Sequence, residues 1–267
     1  MPAPTVIDRF TATDGVGLVY RRWGEASDRP AVLLHHGFIA NATLNWDVTG
    51  VVAALVDDGR EVVAHDARGH GDSDGPHDAA LYGEARMSLD VSELADHLGI
   101  ELFDLVGYSM GGVVASITGT REPRVRRLVI GGVGCAIVEL GGVDTRVMDR
   151  DSLADALEAA ADDEEGVGGP RVELDATAKE FRGFAKATGG DLRALAAQAR
   201  SVHRTPIPVD EITAPTMVLV GDADPLASRP QVLADAIAGA RLEVVPGDHV
   251  EAVASPRFRE LLVEFLR

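Results

Sequence analysis

The chain has 267 residues, 46% of them hydrophobic, and a formal net charge of −18. That length suits a single α/β domain with a sizeable core, while scarce, scattered cations argue against nucleic acid or an anionic membrane as partner. No apolar run is long enough to span a bilayer, and the charged first thirty residues lack the apolar stretch of a secretory signal, so a cytoplasmic location is expected.

In chain order, residues 16–23 alternate roughly by two and predict a partly exposed antiparallel edge strand. Residues 31–35 predict a short buried strand that runs into His36-Gly37-Phe38. Residues 51–56 predict a helix ended by Asp57-Asp58-Gly59, and residues 61–66 the next strand. Between 88 and 98, Leu89, Val91, Leu94 and Leu98 recur at helical spacing. The apolar run 102–106 predicts a strand, and small residues from Gly112 onward predict a helix. Further strands are expected at 125–130, 216–220 and 242–245, with helices at 232–237 and 256–266. Strands alternating with helices imply a mostly parallel sheet covered on both faces.

One segment breaks the rhythm. Residues 135–208 contain no convincing strand but three helical stretches, at 151–161, 176–187 and 191–202. An acidic, Gly-rich loop is expected over 162–170. This predicts a helical lid inserted at 135–208 into a core made of residues 1–134 and 209–267. Cys135, the lone cysteine, excludes an internal disulfide and is expected to be a buried, inert thiol.

Gly107-Tyr108-Ser109-Met110-Gly111 lies between a predicted strand and a predicted helix, which is the sequence form of a nucleophile elbow. So tight a turn strains its central residue and leaves no room for bulk two positions either side, where Gly107 and Gly111 stand. A serine nucleophile needs a base, and the base an acid to hold its tautomer. Among eight histidines, His249 follows the last strand and precedes the last helix, on the same sheet edge as Ser109. Asp224 follows the preceding strand on that edge, with Asp222 two residues away as the rival acid, better suited to capping a turn. The order Ser109, Asp224, His249 is the one this elbow type uses.

These residues, with His36-Gly37-Phe38 and Asp66-Ala67-Arg68-Gly69-His70-Gly71-Asp72-Ser73, resemble the α/β-hydrolase superfamily in its compact, lidded branch, over nearly the whole chain. The resemblance implies a mostly parallel eight-stranded sheet and a triad of Ser109, Asp224 and His249. It further implies that the N–H groups of Phe38 and Met110 form the oxyanion hole. Many relatives carry glycine before the catalytic histidine, where this chain has Asp248. Asp66, Arg68 and His70 read as a structural turn tied by charge-assisted hydrogen bonds, and His36 as a residue ordering the oxyanion loop.

The expected reaction is hydrolysis of a small carboxylic ester or lactone through an acyl-enzyme. Because the acidic surface repels anions at long range, a mostly neutral substrate is favoured. Carbon–carbon bond hydrolysis, thioesterase and perhydrolase activity use the same triad and stay open, as does a ligand-binding receptor with vestigial catalysis. Phe181, Phe184, Leu192 and Leu195 are candidate substrate walls, with packing against the core as the simpler reading. No cluster has metal-ligand spacing and no cofactor-binding loop is present, so neither metal nor cofactor is expected.

Overall fold

The structure, a computed structural model, describes residues 2–147, 149–166 and 176–267. Eight strands form one sheet in the order β1-β2-β4-β3-β5-β6-β7-β8. They are β1 (Val6–Thr11), β2 (Gly17–Trp23), β3 (Ala31–His35), β4 (Val62–His65), β5 (Phe103–Tyr108), β6 (Val125–Gly131), β7 (Thr216–Gly221) and β8 (Arg241–Val245). β1 pairs antiparallel with β2 and β2 with β4, and every other pairing is parallel. The central strands β3, β4 and β5 are buried at every residue. That is why they read as unbroken apolar runs and not as alternations. β1 is the one strand the patterning does not announce, because all of its residues except Phe10 are exposed.

Two hydrophobic layers flank the sheet. α1 (Val51–Asp57) and α10 (Pro256–Leu266) bury Val51, Leu55, Phe258 and Leu262 with Trp23 and Trp46 on one face. α2 (Glu84–Leu98), α3 (Met110–Gly119) and α8 (Pro230–Ala236) bury Met87, Leu94, Val113 and Leu233 on the other. α10 begins at Ser255, whose hydroxyl accepts from Phe258 N at 3.1 Å, with Pro256 in the first turn. At the start of β5 the carboxylate of Asp104, fully buried, pairs with Arg60 and with Arg126. Both arginines also donate to Leu266 O at 2.7 Å, closing the end of α10.

Between β6 and β7 lie α4 (Ala136–Glu139), α5 (Arg150–Glu165), α6 (Ala176–Ala187) and α7 (Leu192–Arg200). A final short helix, α9 (Glu251–Ala254), precedes α10. The acidic run 162–165, expected as loop, is helical. It continues α5 up to Gly166, whose positive φ of 71° ends the helix. Two of its charges are matched by neighbouring helices, Asp162 with Arg193 and Glu164 with Lys186. The rest of that expected loop, 167–170, lies outside the described residues. Among the described residues no helix is long and apolar enough to cross a membrane.

Candidate active site

Ser109 sits between β5 and α3 with φ 58° and ψ −119°, a strained backbone state for a residue other than glycine. The crowding that enforces it is explicit. A Cβ at Gly107 would overlap the carbonyl oxygen of Gly111, and one at Gly111 would overlap that of His35. Ser109 N donates to Gly131 O at 2.9 Å, and its own carbonyl accepts from Gly112 N at 2.8 Å, starting α3. The residue is 9% exposed, and among the described residues its hydroxyl makes no hydrogen bond.

Asp224 and His249 are brought together directly. His249 Nδ1 donates to Asp224 Oδ2 at 2.7 Å, which leaves Nε2 as the free ring nitrogen. The other carboxylate oxygen of Asp224 accepts from Leu226 N at 2.9 Å, and the side chain is fully buried. Asp222 plays the other role, accepting from Gly247 N at 2.9 Å and so bracing the His249 loop. Gly247, with φ 121°, supplies the glycine conformation of that loop, while Asp248, just before α9, accepts from the N–H groups of Val250 and Glu251. The His249 ring stands over Gly132, where an added Cβ would lie 3.1 Å from His249 Cε1, one residue beyond the partner of Ser109 N.

On the opposite side of Ser109, an added Cβ at Gly37 would come within 3.2 Å of the Ser109 Cβ. Gly37 N donates to Asn45 Oδ1 at 2.9 Å, whereas Asn45 Nδ2 is buried without a partner. Asn45 lies on a π-helical turn, Thr43–Asp47, that no sequence signal marked. His36 Nδ1 donates to Gly37 O at 2.8 Å and its Nε2 accepts from Ala67 N at 2.9 Å, so the ring is neutral and fixed. Burial, aided by the adjacent His35, pushes its pKa down to about 4. The N–H groups of Phe38 and Met110 have no acceptor among the described residues.

The turn 66–73 is tied as a structural unit. Asp66 accepts from Ala42 N and Asp72 N and pairs with Arg21, while Arg68 pairs with Asp90 and Asp14. His35, His36, His65 and His70 pack ring against ring in this region, yet no group of three or more side chains among the described residues could hold a metal ion. A cavity of about 130 Å³ beside this turn is lined by Ile39, Asn41, His70, Asp191 and Leu195. Of the expected walls, Leu195 thus borders a cavity, Leu192 is buried in the core, and Phe181 packs partly buried against it. Phe184 is 49% exposed. Cys135 is buried and free, with its Sγ accepting from Arg146 Nη2 at 3.4 Å.

Comparison with known proteins agrees with this architecture. A family model described as alpha/beta hydrolase fold matches residues 30–133. The chain is 30% identical to a non-heme haloperoxidase of Rhodococcus erythropolis, over 89% of this chain and 90% of that protein. It is 27% identical to 3-oxoadipate enol-lactonase 2 of Acinetobacter baylyi, over 96% and 95% respectively. A hydrolase from Pseudomonas aeruginosa PA01 superposes with a TM-score of 0.71 at 27% identity, over 98% of each chain. The chain belongs to the α/β-hydrolase fold family of enzymes.

Proposed function

We propose that the protein is a serine hydrolase acting on small carboxylic esters or lactones. The observation that carries this reading is the 2.7 Å bond from His249 Nδ1 to Asp224 Oδ2, on the sheet edge where the strained elbow presents Ser109. With Nδ1 engaged, Nε2 takes the proton as Ser109 Oγ attacks the carbonyl carbon. Charge then develops on the carbonyl oxygen, and the N–H groups of Phe38 and Met110 receive it. His249 returns the proton to the leaving alcohol, then draws one from a water that attacks the acyl-enzyme and releases the acid. The identity to an enol-lactonase along nearly the whole chain supports a lactone or ester as the acyl group. The identity to a haloperoxidase supports a second reading in which hydrogen peroxide replaces that water, yielding a peracid and free Ser109.

A fluorophosphonate probe and a short-chain aryl ester test the proposal. The probe should label Ser109 and the ester should turn over repeatedly. Ser109→Ala should abolish both, and Asp224→Asn should lower kcat on the order of 10⁴-fold by losing the productive tautomer. Turnover by Ser109→Ala would overturn the role of Ser109. Labelling without multiple turnover on any ester or lactone would point instead to a binding protein.

A further inference from the structure

Arg150 opens α5 above the oxyanion loop. Its Cζ stands 5.0 Å from the centroid of the Phe38 ring, and the residue is only 3% exposed. Nε has no hydrogen-bond partner, and no carboxylate among the described residues forms an ion pair with this side chain. None of the neighbouring acids is in ion-pair contact with it, although the charge of Glu84 acts on it at longer range. Asp149 accepts from Asp151 N and Ser152 N, Asp151 pairs with Arg204, and Glu84 Oε2 accepts from His203 N at 2.6 Å. Burial lowers the Arg150 pKa to about 10, so the guanidinium stays charged at neutral pH. Buried Glu84 supplies the counter-charge felt by Arg150, yet without an ion-pair contact, and a buried charge compensated only at that range leaves its guanidinium free to take a further carboxylate.

We infer that Arg150 is a carboxylate-binding subsite, so that the ester or lactone accepted here carries a free carboxylate at the far end of a short acyl chain. The inference rests on the reading of Ser109 as nucleophile. Phe38 spans the gap, since its backbone adjoins Gly37, where an added Cβ would lie 3.2 Å from Ser109 Cβ, while its ring lies under the guanidinium. A single planar guanidinium matches the two oxygens of one carboxylate. The net charge of −18 does not oppose this at contact range, because salt screens exposed charges beyond about 8 Å. Arg150 therefore reverses the expectation of a neutral substrate drawn from overall charge.

The test compares monomethyl esters of succinic, glutaric and adipic acids with their dimethyl esters. The wild-type enzyme should favour at least one monoacid in kcat/KM by about tenfold or more, as expected for a hydrogen bond to a charged partner. Arg150→Gln should reduce that ratio by a similar factor, and Arg150→Lys should retain part of it. Equal or better use of every diester by the wild type, or an unchanged ratio in Arg150→Gln, overturns the subsite. Should Arg150→Gln fail to fold, the wild-type ratio and Arg150→Lys decide. If no ester is turned over, the hydrolase reading falls separately. Calorimetric titration with the free diacids then judges Arg150: wild-type binding that Arg150→Lys or Arg150→Gln weakens supports the subsite, and absent or unaltered binding overturns it.

Discussion

The phenol of Tyr108 donates to the main-chain oxygen of His249 at 2.7 Å, so the residue before Ser109 also anchors the loop that carries the imidazole. The two rings lie 5.2 Å apart, and Phe258 packs edge-on against the other side of Tyr108. Burial, with the charges of Asp224 and Asp248, pushes the phenol pKa up and keeps it a donor. Tyr108→Phe keeps the ring and removes one neutral hydrogen bond, worth about 1 kcal/mol. The expected result is a loss of roughly fivefold in kcat and a fall in Tm of about 2–4 °C. Steady-state kinetics and a thermal melt check both, and an unchanged kcat would mean that the loop is held without this bond.

Asn45 fixes the Gly37 N–H and thereby the direction of the next peptide, which carries the Phe38 N–H. Asn45→Ala leaves a buried donor without its acceptor and lets that peptide turn, which should lower kcat about tenfold with KM little changed. Asn45→Asp keeps an acceptor but sets a carboxylate beside a developing oxyanion. Its kcat should fall below that of the alanine variant, and the opposite ranking would remove Asn45 from the account of the oxyanion loop.

The buried imidazoles make stability depend on pH. Burial, reinforced by neighbouring imidazoles, lowers the pKa of His36 to about 4 and those of His65 and His70 to about 3, against 6.5 for the free side chain. Between these values the unfolded chain binds more protons than the folded one, so stability rises with pH. The folded state should be at full strength above about pH 6.5 and weaken as pH falls, by up to about 1.4 kcal/mol per pH unit for each such ring. Urea midpoints near neutrality and near pH 5 measure it. A flat profile would mean that protons reach these rings in the folded state.

Much of this was readable in advance, and the exceptions share causes. Central strands and α10 announce themselves because buried surfaces demand apolar residues at fixed spacing, as in Phe258, Leu261, Leu262 and Phe265. The elbow is legible because backbone crowding permits only glycine at 107 and 111. β1 escapes notice because pairing with β2, and not burial, holds it. Residues 162–165 continue α5 and pair with Arg193 and Lys186, partners that lie well along the chain and that local sequence does not show. Asn45 and Arg150 carry no signal in the sequence, since nothing in a linear sequence reveals that a polar side chain has been enclosed.

Around the elbow, Gly107 stands against the backbone of Gly111 and Gly111 against that of His35, while Gly37 faces the Cβ of Ser109. No side chain can be added at Gly107 or Gly111 without moving the backbone. Under the function proposed above, a change in what is accepted would have to come from elsewhere, such as α5, which carries Arg150.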